Sequence, residues 1–173
     1  MAGRGLKKPK PLLIFWNSYF GTYILELTKK EKTMKRTITK IVIHCSATPE
    51  GTDVKAATIA KWHKQRGFKS IGYHYVIDLD GTIEKGRPLE KAGAHCEGVN
   101  ESSIGICYIG GLGTDGKPKD TMTAEQNDAL MMLLMALREQ FPDIKIYGHN
   151  ELNPAKACPC FDVQEWLSGL GFC

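Results

Sequence analysis

Apolar residues recur at two different spacings from Thr37 onward, and the two spacings predict an alternation of strands and helices. Strands are predicted over residues 38–44, 73–77, 82–84, 104–109 and 145–147. Helices are predicted from 52 or 53 to about 66, from 124 to about 140, and after 162. The Asp80-Gly81 pair between the second and third strands predicts a tight hairpin, so these two strands are expected to be antiparallel.

Residues with short polar side chains precede each predicted helix and can accept hydrogen bonds from its first free N–H groups. The expected caps are Thr52 or Asp53, Thr123 with Gln126, and Asp162 with Glu165. Strands that alternate with helices and include one hairpin predict a single α/β domain, with a mixed central sheet flanked by helices. Ligands are expected in a cleft at one edge of that sheet.

Residues 1–33 do not share this pattern. Lys7 to Pro11 precede the apolar run Leu12 to Trp16, as in a signal peptide, but polar residues interrupt the run and no small-residue cleavage site follows. The run is also too short and too polar to span a bilayer. Three interpretations stay open: an upstream extension before a domain that starts at Met34, a weak signal or membrane-surface segment, and an extra helix within 12–27. We expect residues 1–33 to be a leader outside the core and residues 34–173 to be the domain.

Charge and cysteine content narrow the class of protein. The net charge is +4, but residues 1–33 carry seven Lys or Arg against two Glu, so the remaining 140 residues carry −1. The folded part therefore offers no basic surface for nucleic acid, and no nucleic-acid partner is expected. The six cysteines are irregularly spaced in a chain that is long enough to bury a core, which argues against a disulfide framework.

Two histidines and a cysteine have the chemistry of a metal site. His44 ends the first strand, whereas His149 and Cys158 lie in one short proline-rich loop. Imidazole and thiolate are ligands that zinc prefers, and a catalytic zinc has three protein ligands and one open position. Cys158 and Cys160 flank a proline and compete for the role of the thiolate ligand.

Four segments carry a resemblance to a known family. They are His44-Cys45-Ser46-Ala47-Thr48, Gly72-Tyr73-His74-Tyr75, Asn100-Glu101-Ser102-Ser103-Ile104-Gly105-Ile106, and His149 to Cys158. From Thr37 to Trp166 the chain resembles the zinc-dependent N-acetylmuramoyl-L-alanine amidases of the phage-lysozyme and peptidoglycan-recognition-protein family. The resemblance implies cleavage of the amide bond between the muramoyl lactyl group and L-alanine of peptidoglycan, leading to cell-wall lysis.

The resemblance also implies roles for individual residues. One Zn2+ per chain is expected at His44, His149 and Cys158, and Tyr73 and Lys156 are expected to be the catalytic pair. The loop between His149 and Lys156 is one residue longer than in the phage lysozyme form, which is the one departure from the pattern. The residues expected to bind substrate are His95, Thr48 and Asn100.

A second hypothesis is a non-catalytic peptidoglycan-binding or regulatory protein with a structural zinc, for which Cys160 is the obvious fourth ligand. Under the first hypothesis the partner is peptidoglycan, the protein is a monomer, and no stable membrane insertion is expected. The enzyme is expected in the cytoplasm until lysis or a pore releases it to the cell wall. Secretion directed by the N-terminal segment is left open.

Overall fold

The computed structural model describes residues 18–29 and 34–171, so the signal-like run of residues 7–16 lies outside the described part. Its helices are α1 Ser18–Thr28, α2 Ala56–Gln65, α3 Ala124–Gln140, α4 His149–Leu152 and α5 Val163–Gly169. Its strands are β1 Lys40–Cys45, β2 Thr48–Pro49, β3 Tyr75–Ile77, β4 Ile83–Lys85, β5 Ser103–Tyr108, β6 Gly111–Leu112 and β7 Lys145–Gly148. Within the described ranges, no helix is long and apolar enough to cross a membrane.

The main sheet has five strands in the order β4-β3-β5-β1-β7. Neighbouring strands are parallel except for β3 and β4, which pair antiparallel with Ile77 opposite Ile83. The predicted hairpin and the predicted α/β fold with a mixed sheet are therefore confirmed. A separate pair of short parallel strands, β2 and β6, extends beyond the ends of β1 and β5.

The two faces of this sheet bury different residues. On one face, Ile41 and Ile43 of β1 join a large apolar cluster that includes Leu130 of α3. On the other face, Cys107 of β5 packs in a smaller cluster with Ile59 of α2. Because side chains alternate along a strand, His44 belongs to this second face, where it is the register partner of Cys107.

The helix caps follow local sequence in two of three cases. Thr123 and Gln126 form the predicted capping box on α3, and Asp162 accepts the N–H of Glu165 on α5. The predicted cap of α2 is wrong, because this helix begins at Ala56 after Lys55, which makes no side-chain capping bond.

A distant residue supplies the acceptor that the local sequence does not provide at the start of α2. Glu84 Oε1 of the neighbouring hairpin accepts the Ala56 N–H at 3.2 Å. Asp53, one of the two predicted caps, instead pairs with the Lys55 ammonium at 3.3 Å.

The helix α1 lies within the residues that were expected to stand outside the core. Ile24 is only 1% exposed and Leu27 only 9%, and both belong to the large apolar cluster. The Tyr75 hydroxyl donates to the Leu27 carbonyl at 3.1 Å, and Gln140 Nε2 of α3 donates to Thr28 Oγ1 at 2.6 Å. Ile24 and Leu27 are three residues apart and share a helix face, so α1 packs that face on the core, whereas the start of the domain at Met34 stays a prediction.

Candidate metal centre

Three separate elements bring the expected ligands together. His44 is the fifth residue of β1, His149 follows β7 as the first residue of α4, and Cys158 lies in the loop before α5. Because β1 and β7 are parallel neighbours, their carboxyl ends meet at the same end of the sheet. The ligand atoms of the three residues all lie within 4.8 Å of one another.

The donor set fits a tetrahedral metal ion. Cys158 Sγ lies 3.7 Å from His44 Nδ1, and the rings of His44 and His149 have centroids 4.5 Å apart. Tetrahedral zinc, with bonds of about 2.3 Å to sulfur and about 2.0 Å to nitrogen, places its sulfur and nitrogen ligand atoms ~3.5 Å apart. The three residues therefore form a possible His-His-Cys metal site.

The electrostatic surroundings keep both imidazoles in the state that binds a metal. Burial lowers the pKa of His44 well below its usual value, and the neighbouring His95 and His149 lower it further. Burial and then the charge of Lys156 lower the pKa of His149. A neutral imidazole has a free lone pair for coordination, so the site is prepared for a cation before one binds.

Cys158 and Cys160, the two candidates for the thiolate ligand, have different neighbours in the structure. Cys158 Sγ lies beside His44 and accepts the backbone N–H of Cys45 at 3.2 Å. Cys160 Sγ instead contacts Cys45 Sγ at 3.7 Å. Of the two cysteines, only Cys158 belongs to the group of potential ligands found among the described residues.

The two expected catalytic residues differ in burial and in the histidine that each lies near. Tyr73 is half-buried, and its ring centroid is 5.2 Å from that of His44. Burial, followed by the thiols of Cys107 and Cys158, raises the pKa of Tyr73 well above its usual value, so its phenol keeps its proton. Lys156 is exposed on the loop between His149 and Cys158, where its charge acts on His149.

His95 contacts His44, one of the expected ligands, directly, which sequence reasoning did not foresee. Its Nδ1 lies 3.0 Å from His44 Nε2, and its Nε2 lies 3.4 Å from Ser103 Oγ. Metal coordination at His44 Nδ1, which faces Cys158, would leave the His44 Nε2–H to donate to His95 Nδ1. No spacing signal predicts this contact, because the two residues are 51 positions apart and His95 follows an irregular segment.

The other two expected substrate residues make structural hydrogen bonds. Asn100 Oδ1 accepts the backbone N–H of His95 at 2.8 Å and that of Cys96 at 3.1 Å, so Asn100 shapes the segment that carries His95. Thr48 is buried, and its hydroxyl pairs with Ser46 Oγ at 2.7 Å. A contact of either residue with substrate stays a prediction.

A family model described as N-acetylmuramoyl-L-alanine amidase matches residues 34–161. The chain belongs to this amidase family. The amidase is 38% identical over 141 residues to an endolysin of Enterobacteria phage K11, with 82% of this chain and 93% of that relative covered. It is 40% identical over 126 residues to an endolysin of Escherichia phage T7, with 73% and 83% covered.

Solved structures agree with this membership. The endolysin LysCS from Clostridium intestinale, an N-acetylmuramoyl-L-alanine amidase, matches with a TM-score of 0.67 and 29% identity, covering 79% of this chain and 85% of its own. The predicted resemblance is therefore confirmed. So is the predicted function, that of an N-acetylmuramoyl-L-alanine amidase in cell-wall lysis, and with it the hydrolase class.

Proposed function

We propose that this amidase hydrolyses the bond between the muramoyl lactyl group and L-alanine of peptidoglycan with one zinc ion, held by His44, His149 and Cys158. The observation that carries the proposal is the approach of the three ligand atoms to within 4.8 Å of one another. Three protein ligands leave a fourth position open. When bound, zinc would supply a Lewis acid and an activated water for amide hydrolysis.

Tyr73 and Lys156 are proposed to act on the negative charge that develops on the scissile carbonyl oxygen. The phenol of Tyr73 keeps its proton because burial raises its pKa, so it can donate a hydrogen bond to that oxygen. Lys156 brings a cation close enough to His149 to lower its pKa, and there it is proposed to stabilise the same developing charge. Its exposed position lets the side chain reach toward bound substrate.

His95 is proposed to orient His44 in addition to any contact with substrate. By accepting the His44 Nε2–H, it fixes the ring so that Nδ1 faces Cys158. Such a partner on the second nitrogen of a metal-binding histidine sets both its tautomer and its orientation. Asn100 supports this arrangement through the backbone N–H of His95.

A closed structural zinc site, the basis of the second hypothesis, requires a fourth ligand. Cys160 was the expected fourth ligand, but its sulfur contacts Cys45 and it does not join the potential ligands among the described residues. This arrangement supports the catalytic form of the site. The proposed partner is peptidoglycan, reached by a monomer that lysis or a pore releases to the cell wall, in keeping with relatives named endolysins.

The test compares two neighbouring cysteines. Cys158→Ala is expected to lose bound zinc and hydrolysis of purified peptidoglycan, whereas Cys160→Ala is expected to retain one zinc per chain and most of the activity. Zinc is measured by metal analysis after exhaustive dialysis, and turnover by the appearance of free L-alanine amino groups on the released stem peptides. Retention of zinc in Cys158→Ala together with its loss in Cys160→Ala would overturn the ligand assignment.

A further inference from the structure

The side chains of Cys45 and Cys160 are in contact, and neither residue belongs to the proposed ligand set. Cys45 follows His44 on β1, so its side chain points to the opposite face of the sheet. There its Sγ lies 3.7 Å from Cys160 Sγ, although the two residues are 115 positions apart. Both are free thiols.

The backbone around this pair is shaped to allow the contact. Cys160 has φ of 73°, in the left-handed region that residues other than glycine rarely adopt. Gly111 of β6 lies over the pair with φ of 98°, and a Cβ at this position would collide with the Cys45 sulfur. The contact between the two sulfur atoms thus depends on a strained backbone at Cys160 and on the missing side chain at Gly111.

The two thiols differ in access. Cys45 is only 4% exposed. Cys160 is partly exposed and lines an open cavity of about 450 Å³, together with Asn150, Ala157 and Phe161. A small molecule that enters this cavity therefore reaches Cys160, whose sulfur contacts that of Cys45, which does not line the cavity.

We propose that Cys45 and Cys160 are a site of disulfide formation that takes small-molecule disulfides of the glutathione type as its oxidant. The Cys160 thiolate attacks one sulfur of the small disulfide, which forms a mixed disulfide and releases one small thiolate. The Cys45 thiolate then attacks Cys160 Sγ, which forms the internal bond and releases the second small thiolate. The two protons lost by the cysteines end on the two released thiols, so the protein is oxidised by two electrons and the small disulfide is reduced.

The internal bond would join the two segments that carry the proposed zinc ligands. Cys45 is adjacent to His44, and Cys160 is two residues after Cys158. A bond here leaves Cys158 and both histidines free and closes a loop of more than a hundred residues, which restricts the unfolded chain.

The experiment uses the full-length, zinc-loaded protein incubated for hours with excess oxidised glutathione and then freed of it. The expected product is lighter than the reduced protein by about 2 Da, carries no glutathione adduct, and yields a Cys45–Cys160 linked peptide on non-reducing digestion. Bound zinc stays at its starting level, and the melting temperature rises by roughly 5–10 °C.

Two variants make the result specific. Cys160→Ser is expected to fold and bind zinc but to show neither the mass loss nor the rise in melting temperature, whereas Cys96→Ser, which alters a cysteine outside the pair, behaves as the parent does. Three outcomes overturn the proposal: a stable glutathione adduct on Cys160 without internal bond formation, a disulfide that includes Cys158 with release of zinc, and the same mass loss in Cys160→Ser. Because zinc content is measured in every sample, failure of the disulfide is distinguishable from failure of the proposed metal site.

Discussion

The two faces of the central sheet are built from the same strands but contain different chemistry. One face is apolar: Ile41, Ile43 and Ile106 are fully buried against helices α1 and α3. The other face carries His44 together with His74, which follows Tyr73, and both imidazoles are about as buried as those isoleucines. Ile43 and His44 are adjacent on one strand, yet Ile43 lies on the apolar face and His44 on the face that carries buried imidazoles.

The apolar face contributes mainly to stability, whereas the histidine face contributes the groups that can bind a metal or take part in catalysis. Burial of apolar side chains stabilises the fold regardless of pH. Burial of an imidazole holds it neutral, which suits metal binding and hydrogen bonding but opposes folding once the unfolded chain can take up a proton. Changes on the apolar face should therefore alter the unfolding free energy alone, whereas changes on the histidine face should alter zinc affinity, turnover or pH dependence.

The largest expected effect is on the apolar face. Replacing Ile24 and Leu27 together by alanine should lower the unfolding free energy by about 4–6 kcal/mol, since each buried residue contributes about 2 kcal/mol or more. Zinc affinity and kcat of the folded fraction should not change. The measurement is urea unfolding, with Leu25→Ala as the control because Leu25 on the same helix is 45% exposed.

Deletion of residues 1–33 should have a similar effect, although the sequence alone predicted almost none. A loss of stability below about 1 kcal/mol in either experiment would mean that α1 contributes little and that the domain begins at Met34, as the sequence predicted. The truncated chain thereby also tests the proposed extent of the domain.

The second prediction concerns the pH dependence that the histidine face should impose. Burial, and then the charge of Arg36, lowers the pKa of His74 to about 4 from an ordinary value of 6.5. Its contribution to stability is therefore full above pH 6.5 and is lost as the pH falls toward 4, with a total of roughly 3 kcal/mol. His74 Nδ1 accepts the Gly105 N–H at 2.9 Å, a bond that an asparagine can replace.

Thermal and urea unfolding between pH 7 and pH 4.5 should show this loss, and His74→Asn should reduce its slope. Leu133→Ala on the apolar face should lower stability by the same amount at both pH values, because Leu133 is fully buried and does not titrate. An unchanged slope in His74→Asn would contradict the assignment.

The third prediction addresses turnover without loss of metal. Tyr73→Phe should reduce kcat by roughly a hundredfold or more, since it removes a donor to the developing oxyanion, and Lys156→Ala should reduce it on a similar scale. Both variants should retain one zinc and the stability of the parent. Near wild-type kcat in Lys156→Ala would remove this residue from the mechanism, and the loop that is one residue longer would be the reason.

The smallest expected effect distinguishes two roles of His95. If it orients His44, His95→Ala should raise the zinc dissociation constant by roughly 10–100-fold, measured by competition with a chelator. His95→Asn should restore much of the affinity, because its amide oxygen can accept the His44 Nε2–H. An unchanged zinc affinity with a raised KM would instead support the substrate-binding role that the sequence predicted.

Several features followed from sequence because their partners are close along the chain. The capping box of Thr123 and Gln126 joins residues three apart, and the Asp80-Gly81 turn fixes the pairing of β3 and β4. The candidate ligands were found by residue type and motif order, which the structure then brought within reach of one metal ion. In each case the information lies within a few residues or in the order of motifs along the chain.

Contacts between distant residues could not be predicted, and they decide much of the site. The bond from His95 to His44, the contact of Cys160 with Cys45, and the acceptor that Glu84 supplies to the start of α2 all join residues 28 to 115 positions apart. His95 and Cys160 lie in irregular segments, which have no periodicity from which the position of a side chain can be read, and the approach of Glu84 to α2 depends on how two separate elements pack.

By itself, the sequence determined the family, the order along the chain of the five strands of the main sheet and of helices α2, α3 and α5, and the residue types available for a metal, because each is encoded in local pattern and motif. Only the tertiary structure decided that Cys158 rather than Cys160 stands beside His44, that His95 holds the other nitrogen of that ring, and that α1 covers the apolar face. The physical reason is that burial and hydrogen bonding depend on which segments meet in space. That meeting is fixed by packing of the whole domain rather than by any one segment.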